Sequence, residues 1–251
     1  GLSYRETGLK GYSTEASALQ ADGRTLRRQR RYRDFQSDDV ALQAELQGTV
    51  RAGGLEHEVL VGVESYRFHM DSLMLRANPS ASAPYAIDIF NPVYGQTQPT
   101  PGRNTDTREK QRNTALYVQD TLKLGEQWRV MAGLRADNYD QSLQNRITAT
   151  TTQQSPSAVS PRLGVSWLPS AGWTVYANAG KSFRPNTGSD AAGNAFTPEK
   201  ARALELGAKW ESADQRLGAT AALFDSTKRN VLTSDPLNAG FSAAAGEVRS
   251  R

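Results

Sequence analysis

Five arginines fall within seven residues at Arg27-Arg28-Gln29-Arg30-Arg31-Tyr32-Arg33. Guanidinium forks match carboxylates and phosphates, and a cluster of them draws anions from solution. A second group, Tyr85, Phe90 and Tyr94, is spaced among proline and asparagine. Aromatic faces near a cation suit a flat, charged chelate. Catalytic chemistry is poorly provided for. Asp38-Asp39 and the pair Asp137 and Asp140 have no neighbouring histidine or glycine-rich phosphate loop, so no general acid–base pair is assembled. His57 and His69 lack metal-ligand spacing, and the absence of cysteine removes disulfides and thiolate metal sites. The sequence therefore points to binding of an anion, with no catalytic residue, resident metal or cofactor.

The 251 residues carry a net charge of +4, too mild a balance to argue for a nucleic-acid partner. Hydrophobic residues make up 37 %, and no run approaches the length of a transmembrane helix. A transmembrane barrel stays open, because only alternate residues of each strand need be apolar.

That alternation is present. Trp128, Val130, Ala132, Leu134 and Ala136 interleave with Arg129, Met131, Gly133, Arg135 and Asp137. The same period of two runs through Val159–Trp167, Trp173–Ala179, Leu204–Trp210 and Leu217–Leu223, and earlier through Val40–Leu46 and Val59–Val63. One apolar and one polar face describe a half-buried strand, not a helix. Eight strands are expected, at 24–47, 55–72, 109–124, 127–142, 156–168, 173–185, 199–211 and 214–230, with bounds good to about four residues. A ninth begins near Ala245, and residues 1–23 form a preceding loop or strand. Asp120 breaks the pattern by falling on the apolar phase between Val118 and Leu122; a bulge, a nearby partner or a shifted phase would each account for it.

Connections alternate in length. Short ones lie near 48–54, 125–127, 168–172 and 211–215, and long ones near 73–108, 143–155, 186–198 and 231–244. Outer-membrane barrels have short periplasmic turns and long extracellular loops. All four tryptophans, Trp128, Trp167, Trp173 and Trp210, flank short turns on the apolar phase. They are expected to form a girdle at the membrane interface. Pairing Leu124 with Trp128, and Trp167 with Trp173, sets the expected registers. If the phase of Val40–Leu46 runs back unbroken, Arg28 and Arg30 face outward above the membrane, toward lipopolysaccharide phosphates. Arg27, Arg31 and Arg33 then face the lumen and an anionic ligand. A simple solvated extension of the strand fits the same residues equally well.

Several stretches resemble the TonB-dependent siderophore receptors. They are Tyr117-Val118-Gln119-Asp120, Gly133-Leu134-Arg135-Ala136-Asp137, Ser160-Pro161-Arg162-Leu163-Gly164, Ser182-Phe183-Arg184-Pro185, and Pro198-Glu199-Lys200 followed by Glu205-Leu206-Gly207-Ala208-Lys209-Trp210. Glu56–Val63 and Ile87–Gly95 are similar to the upstream part of the same barrel. The resemblance covers about residues 24–251 and implies an all-β fold: an antiparallel transmembrane β-barrel segment of a 22-stranded barrel, with residues 24–251 forming four consecutive hairpins. It implies import of a ferric siderophore across the outer membrane of a Gram-negative bacterium, energised by the TonB complex through a plug domain that this chain lacks. Lipid and lipopolysaccharide would surround the barrel. The segment alone is not expected to transport. A porin, an importer of cobalamin, sugar or a metallophore on the same barrel, and a surface adhesion β-protein are the alternatives.

Overall fold

A computed structural model describes residues 1–82, 84–238 and 241–251. Twelve strands form one antiparallel sheet. They are β1 (Leu2–Leu19), β2 (Thr25–Ala52), β3 (Leu55–Ala77), β4 (Ala86–Asp88), β5 (Gly102–Leu124), β6 (Trp128–Asn145), β7 (Thr150–Gln154), β8 (Ser157–Trp167), β9 (Trp173–Arg184), β10 (Glu199–Glu211), β11 (Gly218–Ser234) and β12 (Ser242–Ser250). Ten of them make a meander in chain order, while β4 adds to β2 and β7 to β6. Both outer strands, β1 and β12, pair on one side only, leaving a row of free backbone groups at each edge.

The sheet has an inverted burial pattern. Leu116, Leu163, Leu204 and Leu223 are exposed on the apolar face, while Asp137 and Gln141 are buried on the other. Among the described residues only Ala115, Tyr139 and Phe196 are both apolar and buried. A soluble domain of this size would sequester its leucines; a sheet that displays a continuous leucine–valine band is built to meet lipid.

All eight expected strands and the ninth are present, and residues 2–19 add a tenth ribbon. Several bounds need correction. β2 runs to Ala52, β3 to Ala77 and β11 to Ser234, and β5 starts at Gly102. In these extensions period two fades, because 102–108 is polar on both faces and Leu73-Met74-Leu75 is apolar on both, although the hydrogen-bond ladder continues. The 143–155 connection is also not an open loop, because β7 folds back on β6 from Thr150. The strict alternation of long and short connections fails once: β1 and β2 are joined by a tight turn at 20–24, at the same end as the long 78–101 connection. Part of the expected 231–244 loop, residues 239 and 240, lies outside the described residues.

Register is as expected on β5–β6, where Leu124 pairs with Trp128 and Val118 with Leu134. On β8–β9 it slips by two. Trp167 pairs with Val175, and Val165 with Ala177. A two-residue slip keeps every side chain on its face, so the apolar band survives. The turn sets the slip: Leu168 N–H bonds Gln127 O at 2.7 Å and Trp173 N–H bonds Ser170 O at 3.2 Å, which places Trp173 beyond the last β8 pair.

Candidate functional site

The candidate site is the rim where β1, β2 and the 78–101 connection meet. Its arginines divide between the two faces of β2. Arg31 and Arg33 share a face with Ser13 and Glu15 of β1. Arg31 lies 2.9 Å from Glu15, Arg33 also pairs with Glu15, and Arg33 Nη1 donates to Ser13 at 2.8 Å. The hydrogen bond from Arg33 holds the Glu15 carboxyl below its usual range. Arg27 lies on that same face and has no ion pair among the described residues. Two of the three inward-phase arginines thus share one carboxylate, and the third keeps its full charge.

Arg28 and Arg30 lie on the opposite face, in phase with Val40 and Leu42. Neither points at open solvent. Arg28 stacks over the Tyr85 ring at 4.4 Å and donates to Tyr85 O at 3.3 Å and Gln96 Oε1 at 3.1 Å. Arg30 stacks over Tyr12 at 4.3 Å and donates to Pro99 O at 3.3 Å. Tyr12 in turn packs on Tyr32, ring centroids 4.8 Å apart. The Tyr85 hydroxyl bonds Thr14 Oγ1 at 3.0 Å.

These contacts strap the long connection to the rim. β4 completes the strap by pairing Ala86 with Arg27 and Asp88 with Thr25. Arg24 bonds Asp88 and, with the Phe90 and Asn91 amides, draws its carboxyl pKa down. Beyond the strap, at the tip, Asp22 closes the β1–β2 turn. The Thr25 hydroxyl and amide hold its pKa down to about 2. Tyr85 is therefore a clamp residue facing β2, whereas Phe90 and Tyr94 stay about three-quarters exposed, at 74 % and 77 %. Sequence reasoning grouped these three aromatics together; the structure separates them. It also adds Tyr12, Thr14 and Glu15, which lie in the segment left open between loop and strand and carry no periodic signal.

The polar wall below the rim shows what the sequence motifs do. Gly207 pairs with Tyr176, whose ring lies over the glycine and whose hydroxyl donates to Glu205 at 2.7 Å, with Lys209 Nζ 5.3 Å from the ring centroid. Glu205, Gly207 and Lys209 are thus one tyrosine cradle. Gly62 and Tyr117 repeat the arrangement, with the Tyr117 hydroxyl donating to Glu45 at 2.7 Å. Gly133 lies beneath the Arg162 stem. Arg135 bridges Glu64 at 3.1 Å and Asp137 at 2.9 Å, and Arg184 reaches Glu199 at 3.3 Å. Arg129 bonds the carbonyls of its own turn, Gly125 and Glu126. The buried Asn186 donates to Thr197 O at 2.8 Å and Asn230 O at 2.9 Å, latching the base of the 185–198 connection.

On the apolar face, the anomalous Asp120 has a partner: His57 Nδ1 lies 2.8 Å from it. The four tryptophans form two cross-strand pairs. Trp128 stacks with Trp167 at 5.9 Å, and Trp173 meets Trp210 at 6.4 Å.

The comparisons with known proteins agree with this geometry. The family model described as TonB dependent receptor-like, beta-barrel, matches residues 1–251. The metal-pseudopaline receptor of Pseudomonas aeruginosa is 44 % identical over 99 % of this chain, which covers 36 % of that protein. The ferrichrome outer membrane transporter/phage receptor of Escherichia coli K12 is 31 % identical over 96 % of the chain, covering 33 % of its length. These relatives are receptors and transporters, not enzymes. The chain spans about a third of their length. Among solved structures, the siderophore receptor PiuA from Acinetobacter baumannii superposes with a TM-score of 0.83 at 20 % identity, over 99 % of this chain and 40 % of that one. The polar wall, the lipid-ready leucine band and the family match over the whole chain identify it as part of the β-barrel of a TonB-dependent receptor of the Gram-negative outer membrane.

Proposed function

We propose that the complete receptor built on this barrel imports an anionic metal chelate, with a ferric siderophore as the leading class, driven by TonB acting through a plug domain. The observation that carries this reading is the strapped connection at the rim. It holds exposed Phe90 and Tyr94 at the same end of the sheet as Arg27, Arg31 and Arg33, which have one carboxylate, Glu15, among them. Apolar faces beside net positive charge suit a charged chelate. Tyr85 serves the site by fixing the loop through Arg28. A metallophore is the second reading, favoured by the 44 % identity to a metal-pseudopaline receptor. The tryptophan pairs are proposed to mark the periplasmic edge of the apolar band, where amphipathic rings settle.

The test is equilibrium binding of ferric siderophores and of metal–pseudopaline complexes to the purified complete receptor. Removing the segment from Tyr85 to Tyr94 should weaken binding of the transported chelate about ten-fold or more, as expected when several stacking and charge-assisted contacts are lost. Binding should also weaken as salt rises. Unchanged affinity for a chelate that is demonstrably transported would reject the rim as the site.

A further inference from the structure

The long connection over the rim is gripped on both of its limbs by residues of one strand. Between Asp88 and Arg103 the chain carries no charged residue. The cations that hold this stretch belong to β2.

Arg28 joins the two limbs. On the incoming limb its backbone amide and its Nε both donate to Tyr85 O, at 3.2 and 3.3 Å, and its guanidinium lies over the Tyr85 ring. On the returning limb its Nη2 donates to Gln96 Oε1 at 3.1 Å. Arg30, two residues on, adds a second rung by donating to Pro99 O at 3.3 Å. Neither arginine meets a carboxylate among the described residues, so each makes charge-assisted hydrogen bonds to neutral acceptors. Tyr85 has a φ of +40°, in the left-handed region that a bulky residue seldom adopts. Such a conformation lasts where its surroundings over-determine it, and the Arg28 contacts and the Thr14 hydroxyl do so. Between the limbs the chain turns back on local bonds. Asp88 Oδ1 accepts the Phe90 and Asn91 amides at 2.9 and 3.1 Å, and Gly95 supplies the reversal at a φ of +82°. Phe90, Val93 and Tyr94 stand exposed on this turn.

We propose that Arg28, helped by Arg30, is a positioning residue of the chelate site: it staples both limbs of the connection, so that the turn at 89–95 is already formed in the ligand-free receptor. Both arginines lie on the outward face of β2, in phase with Val40 and Leu42 and away from Arg27, Arg31 and Arg33, so they act through the turn and not on the chelate. The consequence is kinetic. A binding-competent conformation that is only partly populated lowers apparent affinity by that fraction. The loss falls on association, because the chelate must wait for the turn to form. A lysine keeps the charge but lacks the planar fork and the stack, which separates position from charge. The inference rests on the chelate reading for its ligand, and on the loop contacts alone for the staple.

The test compares the complete wild-type receptor with the combined Arg28→Lys and Arg30→Lys variant, and with Arg27→Gln as the charge control. Folding is checked by heat-modifiable electrophoretic mobility. Hydrogen exchange over residues 85–98 of the ligand-free receptor reads the staple. Stopped-flow binding of ferrichrome and of a metal–pseudopaline complex, the chelates named for two relatives, reads its effect. Exchange should speed up about ten-fold or more in the lysine variant, the scale of losing hydrogen bonds to a charged group. Association should slow several-fold, while dissociation stays within about two-fold and the salt dependence is kept. Arg27→Gln should leave exchange unchanged and flatten the salt dependence. Wild-type exchange in the folded lysine variant would overturn the staple and leave the chelate reading standing. Faster exchange with wild-type association would overturn the positioning role; if removal of Tyr85–Tyr94 then also left affinity unchanged, the chelate reading would fall with it. A loss confined to dissociation would overturn the proposal as well, because the arginines would then be touching the chelate.

Discussion

Replacing Gly207 by alanine isolates a single contact of the polar wall. An added Cβ would lie 2.5 Å from Tyr176 Cζ and 2.6 Å from its hydroxyl oxygen. No carbon is accommodated at that distance, so the ring must swing off the glycine. It then loses its 2.7 Å hydrogen bond to Glu205 and its place under Lys209. Overpacking of this kind costs about 1–3 kcal/mol, and the lost hydrogen bond about 1 kcal/mol more in this half-open setting. Removing a glycine from a strand returns roughly 0.5–1 kcal/mol. The net expectation is a loss of about 1–3 kcal/mol. Gly180 is the control: its added Cβ would find nothing nearer than Pro161 O at 3.8 Å, so Gly180→Ala should be neutral or mildly stabilising. Denaturant unfolding of the complete receptor in lipid vesicles reads both changes. The double change Gly207→Ala with Tyr176→Ala supplies the decisive comparison, because with the ring gone the methyl has nothing to strike. A coupling energy of about 1–3 kcal/mol is expected. If Gly207→Ala matches Gly180→Ala within about 0.5 kcal/mol, the tyrosine does not lie over the glycine and the cradle is wrong.

Three further outcomes follow from the two faces of the sheet. Ala177→Arg, on the apolar face four residues in from Trp173, should destabilise the barrel by about 2–4 kcal/mol, as near the bilayer midplane, and Asn178→Arg on the polar face much less; equal losses would mean the faces are misassigned. His57→Leu leaves Asp120 facing lipid without its partner and should cost about 1–3 kcal/mol, whereas His57→Leu combined with Asp120→Leu should recover most of that, which denaturant midpoints of the three variants will show. Single cysteines at Ser170 and Asp190 should label oppositely on intact cells, only Asp190 being reached from outside; labelling at Ser170 alone would invert the proposed orientation.

Period two exposed the fold wherever one face must be apolar. Trp128–Ala136 and Leu204–Trp210 announce themselves because every second residue has to meet hydrocarbon. Leu2–Leu19 does not, since Arg5, Gly8, Lys10 and Gly11 interrupt both phases, and the strand is held by its ladder to β2 rather than by a pattern of its own. The β8–β9 slip was hidden for a related reason: a shift of two keeps the pattern and changes only the turn. The site was legible in kind and not in detail. Dense arginine and loop aromatics do come together at one end of the sheet, but Tyr85 reaches Arg28 across 57 residues, and no local signal marks which aromatic clamps and which stays free. The motif residues Glu205, Gly207 and Lys209 were visible as letters. Their shared ring, Tyr176, lies on another strand, so only the pairing register reveals the reason for them.

The glycine cradles govern how far the polar wall projects as much as how strongly it is held. A tyrosine or arginine standing upright from the wall would reach toward the axis and act as a baffle. At Gly62, Gly133 and Gly207 the large side chain lies along the wall, in the depression left by a missing side chain. Hydroxyls and charges are thereby presented sideways, already bonded within the lining, at Glu45 and Glu205. The inner surface becomes smooth and chemically quiet at three separate rows. Restoring bulk at these glycines would lift the rings and the guanidinium stem off the wall and roughen that face.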